Sequence, residues 1–195
     1  MSRFLLIGAP GAGKGTQAER LAQTFGIPAI STGDIFRFNV KNETELGKQA
    51  KAFMDRGEFV PDSLTNDLVR DRLSQGDAQK GFLLDGYPRT GEQVFELDRI
   101  LKEQGNALDV VIQLTADTDE IVRRLLNRAI EQGRTDDTEP VIRHRLALFE
   151  EQTAPLISVY AARGNVIMID GLGEVTEVTE RILEALAARG FEPHL

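Results

Sequence analysis

The sequence contains no cysteine, no tryptophan, two tyrosines and two histidines (His144 and His194) in 195 residues. Without cysteine there is no disulfide scaffold, no thiolate zinc site and no cysteine nucleophile. Two histidines argue against a histidine-rich metal centre. Long apolar runs are also missing: none reaches the about 18 residues needed to cross a bilayer. The opening run, Phe4-Leu5-Leu6-Ile7, is too short for the core of a secretory signal, and no small-residue cleavage site follows it. Positive charge is in deficit, with 23 basic against 31 acidic side chains and a net charge of −8. Such a chain is repelled at long range by phosphate backbones and anionic lipid, so neither nucleic acid nor membrane is expected as a partner. A cytoplasmic protein follows as the expectation. No apolar interface pattern stands out, so a monomer is expected.

What remains is ordinary globular material: 41% hydrophobic and 28% charged residues in a length that suits one domain. Short apolar runs alternate with helical patterns. Phe4-Leu5-Leu6-Ile7, Gly81 to Asp85 and Asp109 to Leu114 read as strands buried on both faces, and Asn165 to Asp170 as a fourth strand. Pro28 to Ser31 reads as a weaker fifth. Helices are expected from Lys14 to Phe25, capped by Gly26, and from Thr90 to Gln104, ending at Gly105. Asp117 and Glu120 form a capping box for a helix running to about Ala129. Val175, Val178, Ile182, Leu183 and Leu186 mark a last helix closed by Gly190. This alternation predicts an α/β fold, a five-stranded parallel sheet with helices on both faces. Residues 32–80 do not alternate. They are polar and helical in pattern, with breaks expected at Gly47, Gly57 and Pro61.

Gly8-Ala9-Pro10-Gly11-Ala12-Gly13-Lys14-Gly15-Thr16 follows the first strand and opens the first helix, the G-x-x-x-x-G-K pattern of a phosphate-binding loop. Glycines permit positive φ and close backbone approach. Successive N–H groups and the helix N-terminus then face an anion, and Lys14 reaches its outer phosphates. Gly15 stands where the general motif has a Ser or Thr for Mg²⁺, and Thr16 follows one residue later. The basic residues are also skewed: Arg outnumbers Lys by 17 to 6, and six Arg lie between Arg123 and Arg145. Arg presents a rigid, permanently charged fork suited to phosphate oxygens.

Gly8 to Ala18 (GAPGAGKGTQA) resembles the phosphate loop of adenylate kinases. Four further segments resemble that family in the same order. They are Ser31-Thr32-Gly33-Asp34 with Arg37, Phe82 to Thr90 with Gln93, Gly133 to Asp137 with Arg145, and Thr153-Ala154-Pro155-Leu156-Ile157. The resemblance spans essentially the whole chain. It implies a single P-loop kinase domain over residues 1–195, with an AMP-binding insertion at 32–61 and a short lid loop at 129–135. It implies reversible transfer of the γ-phosphoryl of Mg·ATP to AMP, giving two ADP, with Mg²⁺ as cofactor.

The roles that the resemblance implies are these. Gly11, Ala12, Gly13, Lys14, Gly15 and Thr16 would hold ATP phosphates, with Arg124 and Arg128 facing them. Gly173 would touch the ATP base through its backbone. Arg134 and Arg145 would bridge the transferring group and the AMP side, and Arg37 and Arg89 would hold the AMP phosphate. Thr32 and Gln93 would contact the AMP base, which Glu58-Phe59-Val60 and the Gly86-Tyr87-Pro88 turn would line. Asp85 would hold Mg²⁺ through water, with Asp34 supporting the metal's waters. Lys14, Arg89, Arg124, Arg128, Arg134 and Arg145 thus form the catalytic set. Positioning and charge stabilisation carry most of phosphoryl transfer, which accounts for the concentration of Arg. Arg123 and Arg143 are expected to be solvated.

Three rival readings are open at this stage. A pyrimidine monophosphate kinase is disfavoured by Thr32 and Gln93. A P-loop module without turnover would not need the Arg set or Asp85. A GTPase switch is disfavoured because no N-K-x-D segment occurs.

Overall fold

The computed structural model describes residues 1–193 apart from Gly57, Phe59 and 134–137. Its first strand, β1 (Ser2–Gly8), is buried along its whole length, as an apolar run covered on both faces must be. Then come α1 (Lys14–Phe25), the short β2 (Ala29–Ser31), α2 (Thr32–Lys41), α3 (Glu45–Asp55) and α4 (Asp62–Ser74). After these run β3 (Gly81–Asp85), α5 (Gly91–Glu103), β4 (Val110–Thr115), α6 (Thr118–Glu131), α7 (Glu139–Ala162), β5 (Val166–Asp170) and α8 (Val175–Ala187). All pairings in the five-stranded sheet are parallel, in the order β2-β3-β1-β4-β5.

Period-two alternation sorts the sheet's side chains onto two cores. Phe4, Leu6, Leu83, Ile112, Leu114 and Ile169 pack with Leu21 and Phe25 of α1 and Ile182 and Leu186 of α8. Leu5, Ile7, Phe82, Leu84 and Val111 pack on the other face with α4, α5 and α7. Hence α1, which follows β1, covers one face, while α5, which follows β3, covers the other. Chains leaving neighbouring strands toward opposite faces open a crevice at the sheet's carboxyl edge, where ligands bind in open α/β folds. Register brings Leu6 of β1 level with Asp85 of β3, so Asp85 ends its strand beside the loop that leaves β1.

One expected break lies elsewhere. Gly47 falls inside α3 rather than between helices. A Cβ built there would stand 2.1 Å from the Asn39 carbonyl oxygen, so glycine lets α2 and α3 pack closely. The chain turns instead at Asn42–Thr44, where Glu43 takes φ 51° and Thr44 caps α3 by accepting from the Gly47 N–H. Pro61 does precede a helix start, at α4, and Gly57 is outside the described residues. At α6, the Asp117 carboxylate accepts from the Glu120 N–H at 3.1 Å. The Glu120 carboxylate does not complete a box; it pairs with Arg123 at 2.8 Å and Arg124 at 3.3 Å. Pro140 stands in the first turn of α7, where its missing N–H costs nothing.

Candidate functional site

The loop after β1 is built by two left-handed glycines. Gly11 has φ 85° and Gly13, the N-cap of α1, has φ 81°. At Gly11 a Cβ would also meet Leu125 Cγ at 3.0 Å and Ile121 Cγ2 at 3.2 Å, so the loop lies directly against α6. A turn closed by the Ala12 N–H donating to the Ala9 carbonyl at 3.0 Å completes it. The first turn of α1 carries no acidic side chain, and its N-terminal partial positive charge faces the crevice uncompensated.

Lys14 Nζ stands 2.6 Å from Asp85 Oδ1, both side chains about one-fifth to one-quarter exposed (27% and 18%). Asp85 Oδ1 is buried and, apart from this contact, has no polar partner among the described residues. A half-buried carboxylate oxygen at the end of a strand, beside a phosphate loop, is a fitting anchor for the waters of a hard cation. Among the described residues no three acidic or histidine side chains converge as a metal cage. Asp34 lies apart from Asp85 in its bonding: its carboxylate takes Arg37 at 2.5 Å, with the Ser31 hydroxyl at its backbone N–H. The Arg37 hydrogen bond, then that of Ser31, holds the Asp34 carboxyl below its ordinary range.

Lys14 shares one cavity of about 490 Å³ with the turn after β3 (Gly86, Tyr87, Pro88 and Arg89) and with Arg145, Phe149, Gln152 and Thr153 of α7. Arg89 Nε donates to the Gly86 carbonyl at 2.9 Å, which leaves its terminal nitrogens to other partners. Gly86 has φ 83°, and a Cβ there would stand 3.2 Å from Thr32 Oγ1 and 3.6 Å from an Arg89 nitrogen. This close approach sets Thr32 of α2 beside the turn. Tyr87 is buried and its hydroxyl donates to Asn66 Oδ1 at 2.7 Å. Gln93 is also buried, and its amide is used at both ends. Oε1 accepts from the Arg89 N–H at 2.6 Å, and Nε2 donates to Asp62 Oδ1 at 3.1 Å. Val60 packs against the core under this turn, and Glu58 pairs with Arg56 at 3.4 Å on the surface.

Arg145 also lines a second cavity of about 290 Å³, with Gly11 of the phosphate loop, Arg128 of α6 and Ile142 and Leu146 of α7. It therefore stands between the two spaces. Arg124 does not join Arg128 there. Its Nε is 3.3 Å from Glu120, and it lines a separate surface recess with Leu172 and Gly173. Gly173 (φ 113°) is held in place by the carbonyls before it: Arg181 donates to Asp170 O at 2.9 Å and Leu172 O at 2.5 Å. Arg123 and Arg143 form surface ion pairs, Arg143 with Asp119 and Glu139. Arg134 and Phe59, both expected at the site, lie outside the described residues, as does 134–135 of the expected 129–135 lid loop, whose positions 129–131 belong to α6.

Structure thus gathers Lys14, Gly86 to Arg89 and Arg145 around one cavity, with Asp85 paired to Lys14. It places Arg128 with Arg145 and Gly11 in the next, and Arg124 with Gly173 in a third. Arg37, Glu58 and Thr16 are exposed and line none of these spaces. Asp62 and Gln152 were not singled out by sequence. Pro61-Asp62 reads locally as a helix start and Gln152 as one more polar helix residue, so their partners are visible only in three dimensions.

Comparison with known proteins identifies the family. Residues 6–165 match the family model described as adenylate kinase. A protein of Kocuria rhizophila named adenylate kinase is 64% identical over 186 residues, 95% of this chain and 99% of its own. Another with that name, from Pseudarthrobacter chlorophenolicus, is 60% identical over 188 residues, 96% of this chain and 98% of its own. A third, from Thermobifida fusca, is 54% identical over 187 residues, covering 96% and 99% of the two chains. Near-complete coverage at these identities places the chain in the adenylate kinase family.

Proposed function

We infer that this chain transfers the γ-phosphoryl group of Mg·ATP to AMP, reversibly, giving two ADP. The observation that carries the reading is the single cavity where Lys14 at the phosphate loop, the Gly86–Arg89 turn and Arg145 of α7 face one another. Two anionic nucleotides must meet end to end, and fixed cations must hold them in line while water is excluded. Backbone N–H groups of Gly11 to Thr16 and the α1 N-terminus receive the ATP phosphates, with Lys14 and Arg128 as counter-charges. Arg124 and Gly173 receive the ATP base. Arg89 and Arg37 hold the AMP phosphate. Thr32, Gln93, Val60, Glu58, Phe59 and the Gly86-Tyr87-Pro88 turn enclose the AMP base. Arg145, which borders both cavities, and Arg134 stabilise the charge on the group in flight, a role worth roughly 10³–10⁵ in rate for a well-placed Arg.

No side chain is needed as a general base, because the attacking phosphate oxygen of AMP is already ionised. Mg²⁺ bound with ATP supplies charge neutralisation at the outer phosphates. Asp85, whose buried Oδ1 faces Lys14, is the residue that would hold its waters. The proposed site needs no residue from a second subunit, and a monomer acting in the cytoplasm is the expected form. Among the described residues no helix is long and apolar enough to cross a membrane.

The test needs one nucleotide. Incubated with Mg²⁺ and ADP alone, the protein is expected to form ATP and AMP in equal amounts, and EDTA is expected to stop it. Turnover of UDP or CDP instead of ADP would move the assignment to a pyrimidine acceptor. Silence on all three would overturn the phosphotransfer reading.

A further inference from the structure

Gln93 and Asp62 are 31 positions apart, yet they are tied by a hydrogen bond at the edge of the site. A side-chain amide has two chemically opposite ends, and its direction decides what it can read. Here both neighbours demand the same direction. The Arg89 backbone N–H can only donate, so it requires Oε1, and it is found 2.6 Å away. An ionised carboxylate can only accept, so Asp62 requires Nε2, and it is found at 3.1 Å. Each end keeps spare capacity: a second lone pair on Oε1 and a second N–H on Nε2.

We propose that Asp62 is a positioning residue that sets base specificity at the acceptor site by fixing the direction of the Gln93 amide. The inference rests on the reading that the AMP base meets Gln93. So oriented, Gln93 presents an acceptor and a donor side by side. A 6-aminopurine answers with the N6 donor and the N1 acceptor, and both match. A 6-oxopurine offers an acceptor at O6 and a donor at N1, and both clash. Turning the amide over to suit the 6-oxopurine would set Nε2 against the Arg89 N–H and Oε1 against the Asp62 carboxylate. Sites that leave polar groups mismatched in this way discriminate strongly, by about 10⁴–10⁵ in favourable cases. Asp62 opens α4 immediately after the proposed insertion, so it also ties that segment's end to the turn carrying Arg89.

The experiment compares AMP with inosine monophosphate as acceptor for Mg·ATP, in the wild-type chain and in Asp62→Leu and Asp62→Asn. Wild type is expected to prefer AMP. Asp62→Leu removes the acceptor and is expected to cut the AMP-to-inosine preference in kcat/KM by about tenfold or more, with KM for ATP unchanged. Asp62→Asn keeps an acceptor oxygen and is expected to hold the preference within about threefold. Asp62→Ala serves as a smaller substitute should Asp62→Leu not fold. An unchanged preference in Asp62→Leu, or equal loss on both acceptors, overturns the role, as does Asp62→Asn behaving like Asp62→Leu. A wild-type chain inactive on AMP would remove the functional reading itself, a result seen before any variant is measured.

Discussion

Lys14 Nζ lies 2.6 Å from Asp85 Oδ1, so the cation proposed for phosphate and the carboxylate proposed for a metal's waters neutralise each other. Both charges sit at the end of the crevice with little water around them. On the proposed reading Lys14 would exchange the carboxylate for phosphate oxygens, and Asp85 would be the residue to hold the waters of the Mg²⁺ that comes with ATP. The pair leaves neither partly buried charge uncompensated.

That exchange yields a first prediction. Lys14→Ala is expected to lower turnover about 100-fold or more, the usual loss when one preorganised donor to the transition state is removed. The fold should persist, since Lys14 lies at the first position of α1 and outside both main cores. Steady-state ADP dismutation, with circular dichroism as the control for folding, checks it. A folded variant within threefold of wild type would contradict the role given to Lys14.

Arg89 and Arg124 line different spaces, proposed for different nucleotides. Arg89 is anchored through Nε to the Gly86 carbonyl and lines the cavity beside Lys14, while Arg124 lines the recess with Gly173. Arg89→Ala is therefore expected to raise KM for AMP about 10- to 100-fold, the range of a lost charge-assisted hydrogen bond, with KM for ATP within threefold. Arg124→Ala should do the reverse, and Glu120 retains Arg123 as a partner, so the helix is not left with an unpaired carboxylate. KM measured for each nucleotide at saturating partner decides it. Equal loss of both nucleotides in either variant would merge two sites that the geometry keeps apart.

The arrangement was unevenly legible in the sequence. Continuous apolar runs such as Phe4 to Ile7 carry their own signal, because a strand buried on both faces has no polar side to alternate with. The phosphate loop is equally local, since its glycines serve the backbone directly. Gly47 misleads because a glycine that admits a neighbouring helix looks like one that ends a helix; only the 2.1 Å approach of the Asn39 carbonyl tells them apart. Arg124 and Arg128 share a helix face, but they differ by about 6 Å along the axis. That rise moves Arg124 from the phosphate end to the recess at Gly173. The Gln93–Asp62 bond joins two segments through the fold, and no local spacing announces it.

The two tyrosines supply a prediction about alkaline stability. Tyr87 and Tyr160 are almost fully buried, and burial pushes both phenols well above their ordinary range. Tyr87 would lose its donation to Asn66 on ionising, and among the described residues the Tyr160 hydroxyl has no hydrogen-bond partner that could stabilise a phenolate. In the unfolded chain each phenol ionises near pH 10, while in the folded chain it remains protonated. Above that pH the folded state binds more protons than the unfolded state, so stability falls as pH rises. The two groups together contribute a slope of about −2.7 kcal/mol per pH unit in that window. They contribute no slope below about pH 9, where both states are protonated. Because these are the chain's only tyrosines and it has no tryptophan, absorbance near 295 nm reports them without interference. Phenolate absorbance should appear only together with loss of helical circular dichroism, and urea midpoints should drop between pH 9 and pH 11. Phenolate forming near pH 10 in a chain that stays folded would show that water reaches these two rings.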